Sequence, residues 1–136
     1  MDNYKPKIWW EKLHDNSCAF CKYEKLGAKI IFETIHFVFI DNRISPTVGH
    51  SLLFPRHHIP TEADIDPWAG NEYIKASMRA YEYMEEKTGK KPFIFINPPQ
   101  QQTATHFHKH FYPGVFDVKE IENMLRESYL KHGKNI

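Results

Sequence analysis

The chain has 136 residues, of which 41% are hydrophobic and 15% aromatic, enough for one compact domain with a substantial core. Its 18 basic and 17 acidic residues leave a formal net charge of +1, which argues against electrostatic binding to nucleic acid or an anionic membrane. No stretch approaches the run of about 20 apolar residues that a membrane helix needs, and residues 1–13 lack the apolar core of a secretory signal. We therefore expect a cytoplasmic protein with a single domain over residues 1–136.

Three short strands are predicted in the first half of the chain, after an N-terminal arm formed by residues 1–17. The strands span residues 28–33, 36–40 and 50–54. The first two are rich in Ile, Val and Phe, and the turn signal Asp41-Asn42-Arg43 follows them. Pro55 stops the third strand, because proline cannot donate a hydrogen bond to a sheet.

The second half of the chain alternates helices with strands. Helices are predicted over residues 68–87 and 118–132, the second within a C-terminal segment 118–136, and strands over residues 92–97 and 103–112. The first helix has apolar residues at helical spacing, namely Ile74, Met78, Tyr81 and Met84. Gly89 is a plausible helix stop, and the bulky residues of 92–97 indicate a strand buried on both faces. This order predicts an α+β fold with a mainly antiparallel sheet.

Three histidines alternate along the last predicted strand. His106, His108 and His110 would project from one face, with neighbours roughly 6.6 Å apart. A phosphate can lie across such a row, so that one imidazole attacks phosphorus while the next donates hydrogen bonds to its oxygens. Alternating histidines can also converge on zinc or copper, and each can be an ordinary core or surface residue.

The two cysteines of the chain form the pair Cys18-x-x-Cys21, which has the spacing of half a tetrahedral zinc site. Histidines would have to supply the other two ligands, since the chain has no further cysteine. A redox motif is disfavoured because the pair precedes the first strand instead of a helix that follows one. Ordinary buried thiols remain the alternative to zinc.

Several motifs follow one another in a fixed order along the chain. They are Cys18-x-x-Cys21, Gly49-His50-Ser51-Leu52-x-x-Pro55-x-x-His58, Asn97, Gln102 and His106-x-His108-x-His110. This combination resembles the histidine triad superfamily of nucleotide hydrolases and transferases. The resemblance implies a five-stranded antiparallel sheet with two helices, and a homodimer in which the sheets of two subunits join.

The resemblance also implies roles for individual residues. His108, the middle histidine, would be the catalytic nucleophile that becomes nucleotidylated. His110, Gln102 and Thr103 would contact the phosphate, and Asn97 corresponds to an asparagine that follows the preceding strand in the family. The imidazoles would supply the positive charge, so the chemistry would need no cofactor.

In some branches of the family a structural zinc ion is bound near the triad. The resemblance places its ligands at Cys18, Cys21, His58 and His106, with His57 as the alternative in that turn. Such a zinc ion would fix the ring of His106 and attach the N-terminal arm to the nucleophile strand. The partner implied is a nucleotide substrate, with neither nucleic acid nor membrane involved.

The chain departs from the family pattern at two places that keep other functions open. Residues 97–102 form a loop without glycine, and Lys109 occupies a normally apolar position, where it must reach solvent, pair or lie on an uncovered face. One alternative is therefore a zinc-stabilised nucleotide-binding or interaction module without turnover, and a weaker one is a triad that holds a catalytic metal. Phe32, Phe37 and Ile40 are candidates for a nucleobase pocket or for the core.

Overall fold

The computed structural model describes residues 14–42, 45, 47–101 and 105–133. Its sheet consists of β1 (Ile30–Glu33), β2 (Phe37–Asp41), β3 (Ser51–Pro55), β4 (Phe93–Phe95) and β5 (Lys109–Tyr112), and its helices are α1 (Gly70–Thr88) and α2 (Val118–His132). The strands lie in the order β1-β2-β3-β5-β4, and every neighbouring pair is antiparallel. The predicted α+β fold with a five-stranded sheet and two helices is confirmed.

Aromatic side chains dominate the core between the sheet and α1. The core cluster includes Phe32, Phe37, Phe39, Leu53, Ile59, Phe107 and Phe111, together with Ala76, Ala80 and Met84 of α1. The two alanines leave room for the helix backbone to lie close to these rings. Burial of each large side chain stabilises the fold by roughly 1.5–3 kcal/mol. Phe32 and Phe37 are therefore core residues, and a nucleobase pocket cannot be built from them.

Helix α1 ends as the sequence predicts but buries a different face. Gly89 follows it with a φ of 73°, and its N–H donates to the Glu85 carbonyl at 2.8 Å. Glycine adopts this left-handed conformation without the steric cost of a Cβ atom. Ile74 and Met78, two members of the predicted apolar stripe, are exposed, whereas the two small alanines face the sheet.

The prediction that strand 92–97 is buried on both faces is wrong. The observed strand β4 is shorter and pairs only with β5, at the edge of the sheet. The side chains of Ile94, Phe95 and Ile96 are 40–42% exposed. An edge position explains this exposure, because no further strand of the described chain covers β4.

The last strand is also shorter than the predicted span 103–112, since β5 begins at Lys109. The N–H of Phe107 donates to the Ile59 carbonyl at 2.6 Å, so this segment is attached to the loop after β3 before the strand starts. The prediction that all three histidines lie on one strand is therefore wrong. Only His110 lies within β5, and His106 and His108 lie in the segment that leads to it.

Helix α2 spans Val118–His132, as predicted. Asp117 caps its first turn by accepting a hydrogen bond from the Lys119 N–H at 2.9 Å. The apolar side chains of Leu125 and Tyr129 are exposed, as is most of the helix surface in the described chain. No helix among the described residues is long and apolar enough to span a bilayer.

Candidate active site and metal centre

Two cysteines and two histidines converge at one end of the sheet. The ligand atoms of Cys18, Cys21, His58 and His106 all lie within 4.8 Å of one another. Sγ of Cys18 and Nδ1 of His106 are 3.5 Å apart, Sγ of Cys21 and Nδ1 of His58 3.5 Å, and Sγ of Cys21 and Nδ1 of His106 3.6 Å. Tetrahedral zinc with ordinary bond lengths sets this sulfur–nitrogen separation at roughly 3.6 Å. His57, the alternative ligand, is not part of the group.

The surroundings of these four side chains also suit a zinc ion. Nε2 of His106 lies 2.7 Å from the Pro55 carbonyl, which can only accept, so Nδ1 keeps the lone pair that a metal needs. Nε2 of His58 lies 3.9 Å from a carboxylate oxygen of Asp15. Burial raises the pKa of the Cys21 thiol to about 11, so metal binding would release its proton. The residues thus fit a structural zinc ion in donor type, spacing and tautomer.

His108 lies beside this cluster with one ring nitrogen fixed. Its Nδ1–H donates to the backbone carbonyl of His106 at 2.8 Å, so the lone pair of the neutral ring is on Nε2. Burial lowers the pKa of His108, whose side chain is only 7% exposed. The ring of Phe20 stacks on that of His108 with centroids 4.8 Å apart. A neutral, oriented imidazole of this kind can act as a nucleophile.

The third triad histidine is in contact with a fourth histidine. Nδ1 of His110 lies 2.8 Å from Nε2 of His50, and the ring of Tyr112 stacks on His50 at 4.0 Å. Burial lowers the pKa values of His50 and His110 to about 4 each. Both rings are therefore neutral at pH 7. Burial therefore disfavours at His110 the positive charge that was expected of the triad imidazoles, and favours a role in hydrogen bonding.

A cavity of about 710 Å³ opens in front of His108 and His110. Apolar side chains line part of it, among them Phe20, Leu26, Ile40 and Leu52, and polar groups line the rest, among them Asp41, Asn42 and Thr105. No lysine or arginine is among its described lining residues. Of the three candidates for a nucleobase pocket, only Ile40 lines this cavity. The size and mixed lining of the cavity suit a small organic ligand.

A second cavity of about 290 Å³ also borders His110. Asn97 lines it together with Phe95, Tyr112 and Met124 of α2. The structure thus brings the predicted site residues Asn97 and His110 together, at a cavity whose lining does not include His108. The predicted phosphate ligands Gln102 and Thr103 lie outside the described residues.

Lys109 projects to the opposite face of the sheet from the histidines. Its Nζ lies 3.2 Å from the Tyr73 hydroxyl and 3.3 Å from Oγ of Ser77, both on α1. Tyr73 in turn donates a hydrogen bond to Glu62. Burial lowers the pKa of Lys109, and the nearby Glu62 carboxylate opposes this shift. Of the three possibilities left by the sequence, the lysine therefore pairs with polar groups under α1.

Sequence reasoning missed the functional position of Phe20, Asn42 and His50. Phe20 lies between Cys18 and Cys21 in the sequence, so a metal ion bound by both cysteines would fix the segment that carries its ring. Asn42 read as a turn residue and His50 as part of a strand. The signals available were an aromatic residue inside Cys-x-x-Cys and a fourth histidine that follows a glycine.

No protein-family model matches the chain, and no curated protein matches it either. Several solved structures, however, are similar to the chain. A zinc-bound histidine triad family protein from Mycobacterium smegmatis is 27% identical with a TM-score of 0.59, covering 71% of this chain and 74% of that one. A HIT family hydrolase from Clostridium thermocellum is 24% identical with a TM-score of 0.63, covering 74% and 93%. Another from Legionella pneumophila is 21% identical with a TM-score of 0.62, covering 74% and 95%.

The order of strands, the triad and the Cys₂His₂ group occur together in one chain. This fold and this motif place the chain in the histidine triad superfamily.

Proposed function

We propose that the protein is a nucleotide hydrolase or transferase in which His108 is the nucleophile. The observation that carries this proposal is the hydrogen bond from Nδ1 of His108 to the backbone carbonyl of His106. It leaves the Nε2 lone pair of a buried ring at the edge of the large cavity. A phosphorus atom that enters this cavity would meet an oriented nucleophile.

The reaction would proceed in two steps at the α-phosphorus of a nucleotide. In the first step Nε2 of His108 forms a bond to phosphorus, while the bond from phosphorus to the leaving oxygen or nitrogen breaks with its electron pair, and the leaving group takes up a proton. In the second step water, or another acceptor that loses a proton, attacks phosphorus, and the bond to His108 breaks. His110, Gln102 and Thr103 are proposed to bind the phosphate, and Asn97 is proposed to bind another part of the substrate.

The lining of the large cavity supports a choice among substrates. It contains Asp15 and Asp41 and, among the described residues, no lysine or arginine. A polyphosphate chain would bring several negative charges next to these carboxylates, and no lysine or arginine in the described part of the lining would offset them. We therefore propose a substrate with a single charge at the attacked phosphorus, such as a nucleoside phosphoramidate, ahead of dinucleoside polyphosphates and nucleotide sugars.

We further propose that Cys18, Cys21, His58 and His106 bind a structural zinc ion. The sulfur–nitrogen distances and the tautomer of His106 support this assignment. When bound, the ion would supply a fixed positive charge and tetrahedral coordination. The side chain of His106 would then be immobile, and the carbonyl of the same residue accepts the hydrogen bond that orients His108.

A homodimer whose sheets join across β4 is also proposed. The exposed edge strand β4, with the apolar side chain of Ile94 on it and that of Ile96 directly after it, supports this assembly. Sedimentation velocity on the native protein and on Ile94→Lys would test it. We expect a dimer that the substitution converts to a monomer, and a native monomer would contradict the proposal.

The function is tested by release of nucleoside monophosphate from adenosine and guanosine phosphoramidates, dinucleoside polyphosphates and nucleotide sugars. We expect the native protein to release product from a phosphoramidate fastest and His108→Asn to release none. His57→Gln is the matched control, because it changes a nearby histidine outside the triad and the metal group. Mass spectrometry of a quenched reaction would show the nucleotidyl adduct on His108.

Equal and negligible release by the native protein and His108→Asn would contradict the hydrolase proposal for these substrates. Calorimetric titration with nucleoside monophosphates would then decide the alternative. Binding without turnover would support a nucleotide-binding module, which the glycine-free loop at residues 97–102 favours. The alternative function, in which the triad itself holds a catalytic metal, is not supported. Among the described residues the candidate metal ligands are Cys18, Cys21, His58 and His106, and neither His108 nor His110 is one of them.

A further inference from the structure

We propose that Asn42 and His50 are positioning residues that hold His110 in the tautomer with its proton on Nε2, so that neutral His110 donates to a phosphate oxygen. The tautomer itself is independent of the proposed reaction, whereas the phosphate contact rests on the proposed function.

The direction of two consecutive hydrogen bonds carries this inference. Nδ2 of Asn42 lies 3.1 Å from Nδ1 of His50, and Nε2 of His50 lies 2.8 Å from Nδ1 of His110. An amide nitrogen can only donate, so Nδ1 of His50 accepts and the proton of the neutral ring is on Nε2. His50 therefore donates to Nδ1 of His110. The single proton of neutral His110 must then be on its Nε2.

Backbone pairing and ring stacking hold the three side chains in line. The N–H of Asn42 donates to the His50 carbonyl at 2.9 Å, and His50 directly precedes β3, which pairs with the strand of His110. The centroids of the His50 and His110 rings are 5.0 Å apart with an interplanar angle of 21°, and the ring of Tyr112 stacks on His50 at 4.0 Å. Both bonds of the relay thus form between groups that have little freedom to rotate.

The charge state of both rings agrees with a relay of neutral groups. Burial is the largest cause that lowers the pKa values of His50 and His110 to about 4. The charge of His108 lowers both pKa values further, and Asp41 opposes the shift at His50. At neutral pH each ring therefore carries one ring proton, and its position is set by hydrogen bonding alone.

The relay leaves one donor available at the site. Within the described residues Nε2 of His110 is buried and has no hydrogen-bond partner. The centroid of the His110 ring is 4.8 Å from that of His108, so the ring that carries this N–H is in contact with the proposed nucleophile. If Asn42 presented its oxygen to His50 instead, both bonds would reverse. Nε2 of His110 would then be a lone pair that repels a phosphate oxygen. The orientation of Asn42 therefore decides whether His110 attracts or repels the substrate.

Long-range ¹⁵N–¹H correlation spectra of the ¹⁵N-histidine-labelled native protein at neutral pH would test the relay directly. Signals are assigned from the spectra of His50→Gln and His110→Gln, in each of which one ring is missing. We expect Nε2–H tautomers for both His50 and His110. An Nδ1–H tautomer at His110 would overturn the inference. This measurement needs no substrate, so its result is independent of whether the proposed function is correct.

Variants at the two positioning residues provide a second measurement. His50→Gln keeps an amide donor within reach of His110, whereas His50→Phe and Asn42→Ala remove a donor from the relay. We expect a pure Nε2–H tautomer of His110 in His50→Gln and a mixture of tautomers in the other two. Asn71→Ala, the same change at an exposed position of α1, is the matched control.

Kinetics would then show whether the relay matters for the reaction. With the best substrate of the panel, we expect kcat/KM to fall roughly tenfold in His50→Phe and Asn42→Ala. His50→Gln should restore most of this loss. A native-like pure Nε2–H tautomer in both donor-deleted variants would show that Asn42 and His50 do not set it, and would contradict the positioning role.

Discussion

The ring of Phe20 stacks on the ring of His108, with centroids 4.8 Å apart and an interplanar angle of 22°. Phe20 stands between the cysteines at positions 18 and 21, so the segment that contributes two ligands to the metal group also covers the proposed nucleophile. The same ring packs against Phe54 at 4.8 Å. The metal group and the triad are therefore mechanically connected through side chains as well as through the backbone of His106.

Phe20→Ala should reduce activity more than its loss of packing explains. Removal of the ring takes away the stacking contact that holds His108, and such contacts contribute about 0.5–1.5 kcal/mol. We expect kcat/KM to fall about three- to tenfold and the free energy of unfolding to fall by about 1–2 kcal/mol. Phe20→Tyr, which retains the ring, is the control. Equal activity of the alanine and tyrosine variants would contradict a role for the stack.

Metal removal should destabilise the protein. A chelator or Cys21→Ser would remove the proposed zinc ion from the Cys₂His₂ group, and the contribution of metal binding to folding would be lost with it. We expect the melting temperature to fall by about 10 °C or more and to recover when zinc is added back to the native protein.

His57→Gln is the control for the metal group, since it lies in the same turn as His58 but is not one of the four ligands. It should keep the zinc content measured by atomic absorption, whereas His58→Gln and Cys21→Ser should lose most of it. Loss of zinc from His57→Gln with retention in His58→Gln would reassign the ligand.

Stability should fall as the pH is lowered below about 6.5. His50 and His110 are neutral in both states above this pH, because their pKa values are about 4 in the folded protein and 6.5 when unperturbed. Between these values the unfolded chain takes up protons that the folded chain does not, so stability decreases as the pH falls toward 4. Below pH 4 the two histidines are protonated in both states and cause no further decrease.

Urea denaturation at several pH values would measure this dependence. The other groups that act on the two histidines are His108 and Asp41, which neither His50→Gln nor His110→Gln changes. His50→Gln also removes the effect by which His50 lowers the pKa of His110. We expect a shallower decrease in the free energy of unfolding between pH 6.5 and 4 for each variant than for the native protein. An identical decrease would show that these rings are not held neutral by burial.

Lys109 should be replaceable by methionine at little cost. Its Nζ is bonded to Tyr73 and Ser77 under α1, and its burial lowers its pKa. An apolar side chain of similar length would avoid this desolvation, so Lys109→Met should change the free energy of unfolding by less than about 1 kcal/mol. Lys109→Glu would place a second carboxylate near Glu62 and should cost roughly 2–4 kcal/mol.

Activity provides the second readout for Lys109. The side chain lies on the face of the sheet opposite to His108, so Lys109→Met should have native kcat and KM. A large loss of activity at native stability would show that the lysine communicates with the triad, and would contradict the purely structural role given to it by its contacts.

The sequence by itself determined the order of helices and strands and the side chains that can bind a metal or attack a substrate. Alternation of apolar residues and the Gly89 stop predicted the α+β order, because local periodicity and turn chemistry act within a few residues. The spacing of Cys18 and Cys21 predicted half a zinc site, and the resemblance to the histidine triad superfamily added His58 and His106. These four side chains do meet in space.

Only the tertiary structure decided the burial of β4, the length of β5 and the contacts of the fourth histidine. The strand at 93–95 is exposed because of its place at the sheet edge, and strand order is a property of the whole chain. The N–H of Phe107 donates a hydrogen bond to the Ile59 carbonyl, and β5 begins only after this residue, at Lys109. His50 reaches His110 across sixty positions because β3 pairs with β5, and the sequence pattern of either strand alone contains no record of that pairing.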